Sequence, residues 1–258
     1  MPVSGRASGA VPLLAVAHGT RDPAGIAATA DLLDMIRGMR PGLRVELGYV
    51  DVAEPLLTDT LARLAGPVVV VPLLLGAGYH VREDIPAALA TAPQVTAHVA
   101  DVLGPDPRLA GILHERLTAA WGVGDPQPVD TEADVLPDAC EAIVLAAAGS
   151  TDPSANADAA EMAALLGDLT GRTVVPSYLC ASSPTPAEAV AALRADGIRN
   201  VAVSGYLMTP GYFARKAAAS GAAVTSAPLG AHPALAQVVL DRYDAAMGAA
   251  YGTNSVGR

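Results

Sequence analysis

Leu13-Leu14-Ala15-Val16-Ala17-His18-Gly19-Thr20-Arg21-Asp22-Pro23 is an uncharged apolar run that closes on Gly, Asp and Pro, the composition of a buried strand feeding a loop. Ile26, Ala30, Leu33 and Ile36 follow at helical spacing, so the stretch reads strand, loop, helix. His18 then sits at the carboxyl end of a strand. That rim is where open α/β sheets bind ligands, because the loops diverge there and helix amino termini point at the crevice. Val68-Val69-Val70-Val71-Pro72-Leu73-Leu74-Leu75-Gly76-Ala77-Gly78-Tyr79-His80 repeats the pattern as a buried run, a glycine loop and a histidine. Two histidines at the same end of two parallel strands can share one cleft.

The alternation continues through the first half of the chain. Strands are expected over 11–17, 43–50, 67–75 and 95–100, and helices over 25–39, 55–65 with proline at its start, 82–90 and 106–121. Strands alternating with helices make right-handed βαβ units around a parallel sheet. Residues 122–139 are rich in Pro, Gly and acid without a sustained period, which marks a linker. The pattern then restarts, displaced by about 130 residues, as an internal duplication. Ile143-Val144-Leu145-Ala146-Ala147-Ala148-Gly149-Ser150-Thr151-Asp152-Pro153 answers the opening stretch, and the run from Pro176 to Pro184 answers Leu47–Pro55. Gly211-Tyr212 answers Gly78-Tyr79, and Leu229-Gly230 answers Leu103-Gly104. The expected fold is α/β, with two tandem domains over residues 1–121 and 140–258. Each is a parallel-sheet βαβ sandwich, and duplication relates them.

The duplication serves as an internal control. Where the first copy has His18, Asp51 and His80, the second has Ala148, Cys180 and Phe213. The scaffold signals persist while three polar residues vanish together, so those three serve one shared function.

Composition narrows the function classes. The chain is 52% hydrophobic and 16% charged, a globular balance. No window approaches the roughly 20 apolar residues of a membrane span, and residues 1–10 lack the pattern of a secretion signal. The reading is therefore a cytoplasmic protein. A net charge of −10 disfavours nucleic-acid and anionic-membrane partners. Cys140 and Cys180 are too few for a disulfide framework, do not make a close metal-ligand pair and are read as small apolar fillers. His98 and His114 are read as surface or packing residues, and His232 as a helix cap.

Two imidazoles and a carboxylate from the ends of three strands can bind a divalent transition metal while leaving positions open. The same groups can shuttle protons near neutral pH. Inserting a metal into a tetrapyrrole needs both abilities, because the ion must be delivered and two ring N–H protons must leave. Ala17-His18-Gly19-Thr20-Arg21, Tyr49-Val50-Asp51-Val52-Ala53-Glu54-Pro55 and Gly78-Tyr79-His80-Val81-Arg82-Glu83-Asp84-Ile85-Pro86 together resemble the sirohydrochlorin chelatases of sirohaem and cobalamin synthesis, in their long two-domain form. The resemblance implies that His18 and His80 bind the incoming metal and receive protons. It gives Asp51, where that family usually has Glu, the part of third ligand or proton acceptor. Glu54, the nearby alternative, is expected to face away.

The resemblance further implies a polycarboxylate macrocycle as substrate and Co²⁺, Fe²⁺ or Ni²⁺ as co-substrate, with no tightly bound cofactor. The second half then walls the cleft without holding metal, and fusion of two copies makes a monomer sufficient. Candidates for the substrate carboxylates are Arg21, Arg82, Arg215 and Lys216, the chain's only lysine. The backbone amides of the Gly76–Tyr79 loop, Gly78 among them, and of the Pro210–Tyr212 loop are further candidates. Tyr79 and Tyr212 are read either as macrocycle contacts or as core anchors. No GxxxxGK[ST] phosphate loop is present, in keeping with insertion that does not consume ATP. HGTRDP after the first strand, in place of GxGxxG, argues against a nicotinamide oxidoreductase. A metal carrier or sensor, or a chelatase scaffold turned to another metal-dependent reaction on a small metabolite, remains open.

Overall fold

The computed structural model describes residues 10–122 and 136–251. The first repeat runs β1 (Leu13–Ala17), α1 (Pro23–Met39), β2 (Val45–Tyr49), α2 (Leu57–Ala62) and β3 (Gly66–Pro72). A π-helical turn (His80–Asp84) then leads into α3 (Ile85–Ala90), β4 (Val95–Val99) and α4 (Pro107–Gly122). The second repeat runs β5 (Ala142–Ala147), α5 (Pro153–Thr170), β6 (Thr173–Tyr178), α6 (Pro186–Ala195), β7 (Val201–Tyr206), α7 (Tyr212–Ala218), β8 (Val224–Thr225) and α8 (Pro233–Tyr251). Both sheets are parallel, and their strand orders match as β2-β1-β3-β4 and β6-β5-β7-β8. Most of the expected linker, residues 123–135, lies outside the described residues.

Two local expectations need correction. Pro55 does not open α2, because its carbonyl accepts from Tyr49 N–H (2.9 Å) and ties it to the end of β2. The helix expected from residue 82 begins earlier, as the π turn at His80. The Asp-Pro pairs behave as their chemistry directs. Asp22 caps α1 by accepting from Ala24 N–H (3.1 Å), Asp152 caps α5 by accepting from Ser154 N–H (2.9 Å), and each proline takes the first helical position.

The uncharged strands are apolar throughout because both of their faces are covered. Along β1, Leu13, Ala15 and Ala17 face a large core while Leu14 and Val16 pack beneath α2 and α3. Along β5, Ile143, Leu145 and Ala147 enter that same large core while Ala142, Val144 and Ala146 pack on the far side. The two repeats therefore share one core. Their last helices interlock, with α4 packing on α5 and β7 of the second repeat and α8 on α1 and β3 of the first. Arginines pin the exchange symmetrically: Arg116 of α4 donates to Leu229 O (2.8 Å), and Arg242 of α8 donates to Val102 O (2.8 Å).

Between α4 and α8 lies a charge network. Asp106 accepts from Arg108 (2.8 Å) and Arg242 (3.4 Å), and Arg108 also reaches Asp241. Burial pushes the Asp106 carboxyl up, but the Arg108 side-chain and backbone hydrogen bonds outweigh it and leave a net lowering. A lowered carboxylate stabilises the fold above the unfolded value of about 4 and loses that contribution as pH falls through the folded value. Melting temperature is thus expected to fall more gently with acidification below about pH 4 in Asp106→Asn than in the parent. Parallel melting curves from pH 3 to 7 check it, and an unchanged slope contradicts it.

Candidate functional site

β1 and β3 are neighbours in the first sheet, so the loops that leave their carboxyl ends emerge side by side. The structure brings their histidines together, with ring centres of His18 and His80 4.6 Å apart and the rings edge to face at 88°. Each Nδ1 is already engaged, that of His18 with Gly19 O (3.1 Å) and that of His80 with Asp84 Oδ2 (2.6 Å). Carbonyl and carboxylate oxygens accept, so in the neutral rings both Nδ1 atoms carry hydrogen. Each Nε2 is left with its lone pair for a cation or a proton.

Asp84, absent from the residues singled out in the sequence, is drawn to the histidine pair by this contact. It lies one turn beyond His80, a spacing that could have revealed it. A carboxylate bonded to the far nitrogen of an imidazole fixes the ring's orientation.

The histidines open onto a cavity of about 700 Å³ between the repeats, walled by His18, Arg21 and His80 on one side and Cys180, Tyr206 and Phe213 on the other. This is the size of an ordinary ligand pocket. Its wall is largely apolar, and none of the described residues lining it is Asp or Glu. Tyr206 lies at the floor, its hydroxyl donating to Leu75 O across the repeat boundary (3.1 Å), and burial pushes its phenol far above the ordinary range. The second copy brings Ala148, Cys180 and Phe213 to the same wall, as the duplication requires.

Asp51 does not join the histidines. It is exposed, and its carboxylate turns back to accept from Val52 N–H (2.7 Å). Val52 instead reaches the cavity, held at φ 53° where a β-branched residue is strained, with Ala181 at φ 55° in its place in the second repeat. Among the described residues no three His, Cys, Asp or Glu side chains are grouped to hold a metal ion. Glu54 is exposed, in line with its expected outward face.

Of the expected substrate cations, Arg21 lies on the cavity wall and the other three do not. Arg82 pairs with Asp152 (3.0 Å) and donates to Ser154 Oγ (2.7 Å), while Arg215 pairs with Asp22 (2.5 Å). These are equivalent latches, in which each repeat's arginine grips the helix-capping aspartate of the other. The Arg215 pair, then the Ala24 amide, holds the Asp22 carboxyl below its ordinary range, and Ser154 does so for Asp152. Lys216 donates to Leu179 O.

Two of the glycine-loop amides are also committed, Ala77 N–H to Asp158 Oδ2 (3.0 Å) and Gly78 N–H to Gly76 O (2.9 Å). Gly78, Tyr79 and Tyr212 line the cavity, and the tyrosines are 60% and 69% exposed, which removes the core-anchor reading. Cys140 is a buried filler whose thiol burial pushes up, whereas Cys180 is exposed on the cavity wall. His232 caps α8 through Ala234 N–H (3.2 Å), while His98 on β4 and His114 on α4 lie off the cavity.

Two interlocked parallel-sheet repeats with a pair of imidazoles at the shared cleft define a chelatase-like class of protein. A family model described as CbiX matches residues 12–120 and again 142–246. The chain belongs to the CbiX family. A sirohydrochlorin ferrochelatase of Priestia megaterium is 26% identical over 208 residues, a match covering 77% of this chain and 73% of the relative. A sirohydrochlorin cobaltochelatase of Sulfurisphaera tokodaii is 38% identical over 77 residues, 28% of this chain and 64% of the relative, so that match spans less than two thirds of the archaeal protein. SirB from Bacillus subtilis with Fe³⁺ superposes with a TM-score of 0.72 at 22% identity, covering 94% of this chain and 97% of that one. Among the described residues no helix is long and apolar enough to cross a membrane.

Proposed function

We propose that this protein inserts a divalent metal ion, Co²⁺, Fe²⁺ or Ni²⁺, into sirohydrochlorin without ATP; the names of its relatives, a cobaltochelatase and a ferrochelatase, support the reaction and the first two ions. The observation that carries the reading is the pair of imidazoles 4.6 Å apart at the wall of a cavity with no Asp or Glu among its described lining residues. Metal is substrate here. The macrocycle loses two N–H protons as the ion enters, so the charge of the complex is unchanged. Each imidazole that releases the ion regains an Nε2 lone pair, and two imidazoles match two protons. Open coordination at a two-histidine site lets the ion leave, where a closed four-ligand shell would hold it.

The apolar wall suits the face of the macrocycle, with Tyr79 and Tyr212 flanking it, and Arg21 is placed for a peripheral carboxylate. Arg82 and Arg215 keep the mouth of the cleft assembled instead of serving as the first substrate contacts. We assign the metal site to the first repeat (residues 1–121) and the opposing wall to the second (140–258). The shared core makes one chain sufficient as a monomer. The two free cysteines accord with the reducing cytoplasm.

Anaerobic absorbance spectroscopy of sirohydrochlorin with each metal, with and without protein, tests the reading. Insertion above the spontaneous rate is expected for at least one ion. Metal binding with no acceleration identifies a carrier and overturns the chelatase assignment.

A further inference from the structure

The metal-bearing loop is held in place by the opposite repeat, at one point that the duplication does not reproduce. Asp158, on α5 of the second repeat, accepts from Ala77 N–H at 3.0 Å, three residues before His80. The loop lies directly on that helix. A Cβ added at Gly76 would sit 3.3 Å from Asp158 Oδ2 and 3.4 Å from Ala155 O, and one at Gly78 would sit 3.4 Å from Ser150 Oγ.

The equivalent place in the other half lacks both partners. Gly78-Tyr79-His80 corresponds to Gly211-Tyr212-Phe213, so Ala77 corresponds to Pro210, which has no N–H. Asp22 corresponds to Asp152, so Asp158 corresponds to Ala28, which has no acceptor. In that half α1 approaches the loop as bare backbone, since a Cβ on Gly25 would meet Pro210 O at 2.6 Å. Donor and acceptor are thus both present where the loop carries His80, and both absent where it carries Phe213.

We propose that Asp158 is a positioning residue for His80. It fixes the Gly76–Tyr79 loop from across the cleft so that the two imidazoles meet at their observed separation. This inference rests on the reading of His18 and His80 as the metal pair, and it gives the second repeat a share in the metal site without supplying a ligand. Partners bonded directly to a ligating imidazole change metal affinity by about 10- to 100-fold when removed, and a contact one step further out, on the loop backbone, belongs at the lower end of that range.

Co²⁺ titration followed by its visible d–d absorption tests the proposal in the parent, His80→Ala, Asp158→Ala and Asp158→Asn, with melting temperature measured for each. Asp158→Ala is expected to weaken Co²⁺ binding about tenfold or more and to alter the band. Asp158→Asn keeps an acceptor for Ala77 N–H and is expected to restore both. If Asp158→Ala does not fold, Asp158→Ser, too short to reach the amide, takes its place with the same expectation. A Co²⁺ signal that needs His80 yet is unchanged in affinity and band shape in Asp158→Ala, or in Asp158→Ser where that variant replaces it, overturns the inference alone. A Co²⁺ signal that survives His80→Ala overturns the metal-pair reading and this inference with it.

Discussion

His80→Phe is expected to abolish protein-assisted insertion, lowering the rate by at least about a thousandfold, while the protein still folds. The size follows from two losses at once. On the proposed roles a ligand is removed from a two-imidazole site, and so is one of the two proton acceptors, a role that by itself contributes about 10²- to 10⁴-fold. Tolerance of the fold follows from the duplication, because Phe213 occupies the same place on the other side of the cavity and packs there partly buried against the outer core of its own repeat. His80 has no structural duty that phenylalanine fails to meet except its bond to Asp84, and Asp84 is about a third exposed, so water can replace the ring. Insertion rate and melting temperature are the two measurements. A variant that keeps a tenth of the parental rate removes His80 from the chemistry, since no acid–base or ligand role is that dispensable.

The parts of this molecule that were legible in the sequence are those whose physics is local. β1 and β5 read as strands because burial on both faces demands an unbroken apolar run, and the Asp-Pro pairs marked the starts of α1 and α5 because a cap and a pre-set φ are properties of adjacent residues. His18 and His80 stand out as candidates because the second copy lacks them, and the structure brings their rings together. Contacts between distant segments were not legible. Nothing near Arg82 or Arg215 in the chain signals that their partners are the capping aspartates of the opposite repeat. The exchange of α4 and α8 over the shared core leaves the helical period of each unchanged. Asp51 stands apart from the histidines for a local reason. A short carboxylate at the end of a strand can close on the next amide, and here it does so with Val52. Asp158 lay beyond any local pattern, being 81 residues from the amide it holds.

Gly19→Ala and Gly149→Ala form a matched pair expected to separate fold from function. Each glycine has a positive φ, 101° and 87°, and each faces the carbonyl of the β2 or β6 loop so closely that an added Cβ would sit 1.9 Å from Asp51 O or 2.1 Å from Cys180 O. The obstructing atom is backbone in both cases, so the loop must move as a whole. Strain in φ adds to the overpacking, and each variant is expected to lose about 3 kcal/mol or more. For a chain of this size that lowers the melting temperature by on the order of 10 °C. The catalytic consequences differ. Asp51 N–H donates to His18 O (3.0 Å), so the loop displaced in Gly19→Ala is bonded to the residue that carries the imidazole. In Gly149→Ala the displaced loop is bonded to Ala148, which carries none. Assayed at a temperature where both variants remain folded, Gly19→Ala is expected to lose insertion by about 10- to 100-fold, the range seen when the support of a metal ligand is disturbed. Gly149→Ala is expected to keep most of its rate. Equal losses in the two would mean that the second repeat's loop is as deeply involved in the chemistry as the first, and the division of labour drawn from the lost histidine would not hold.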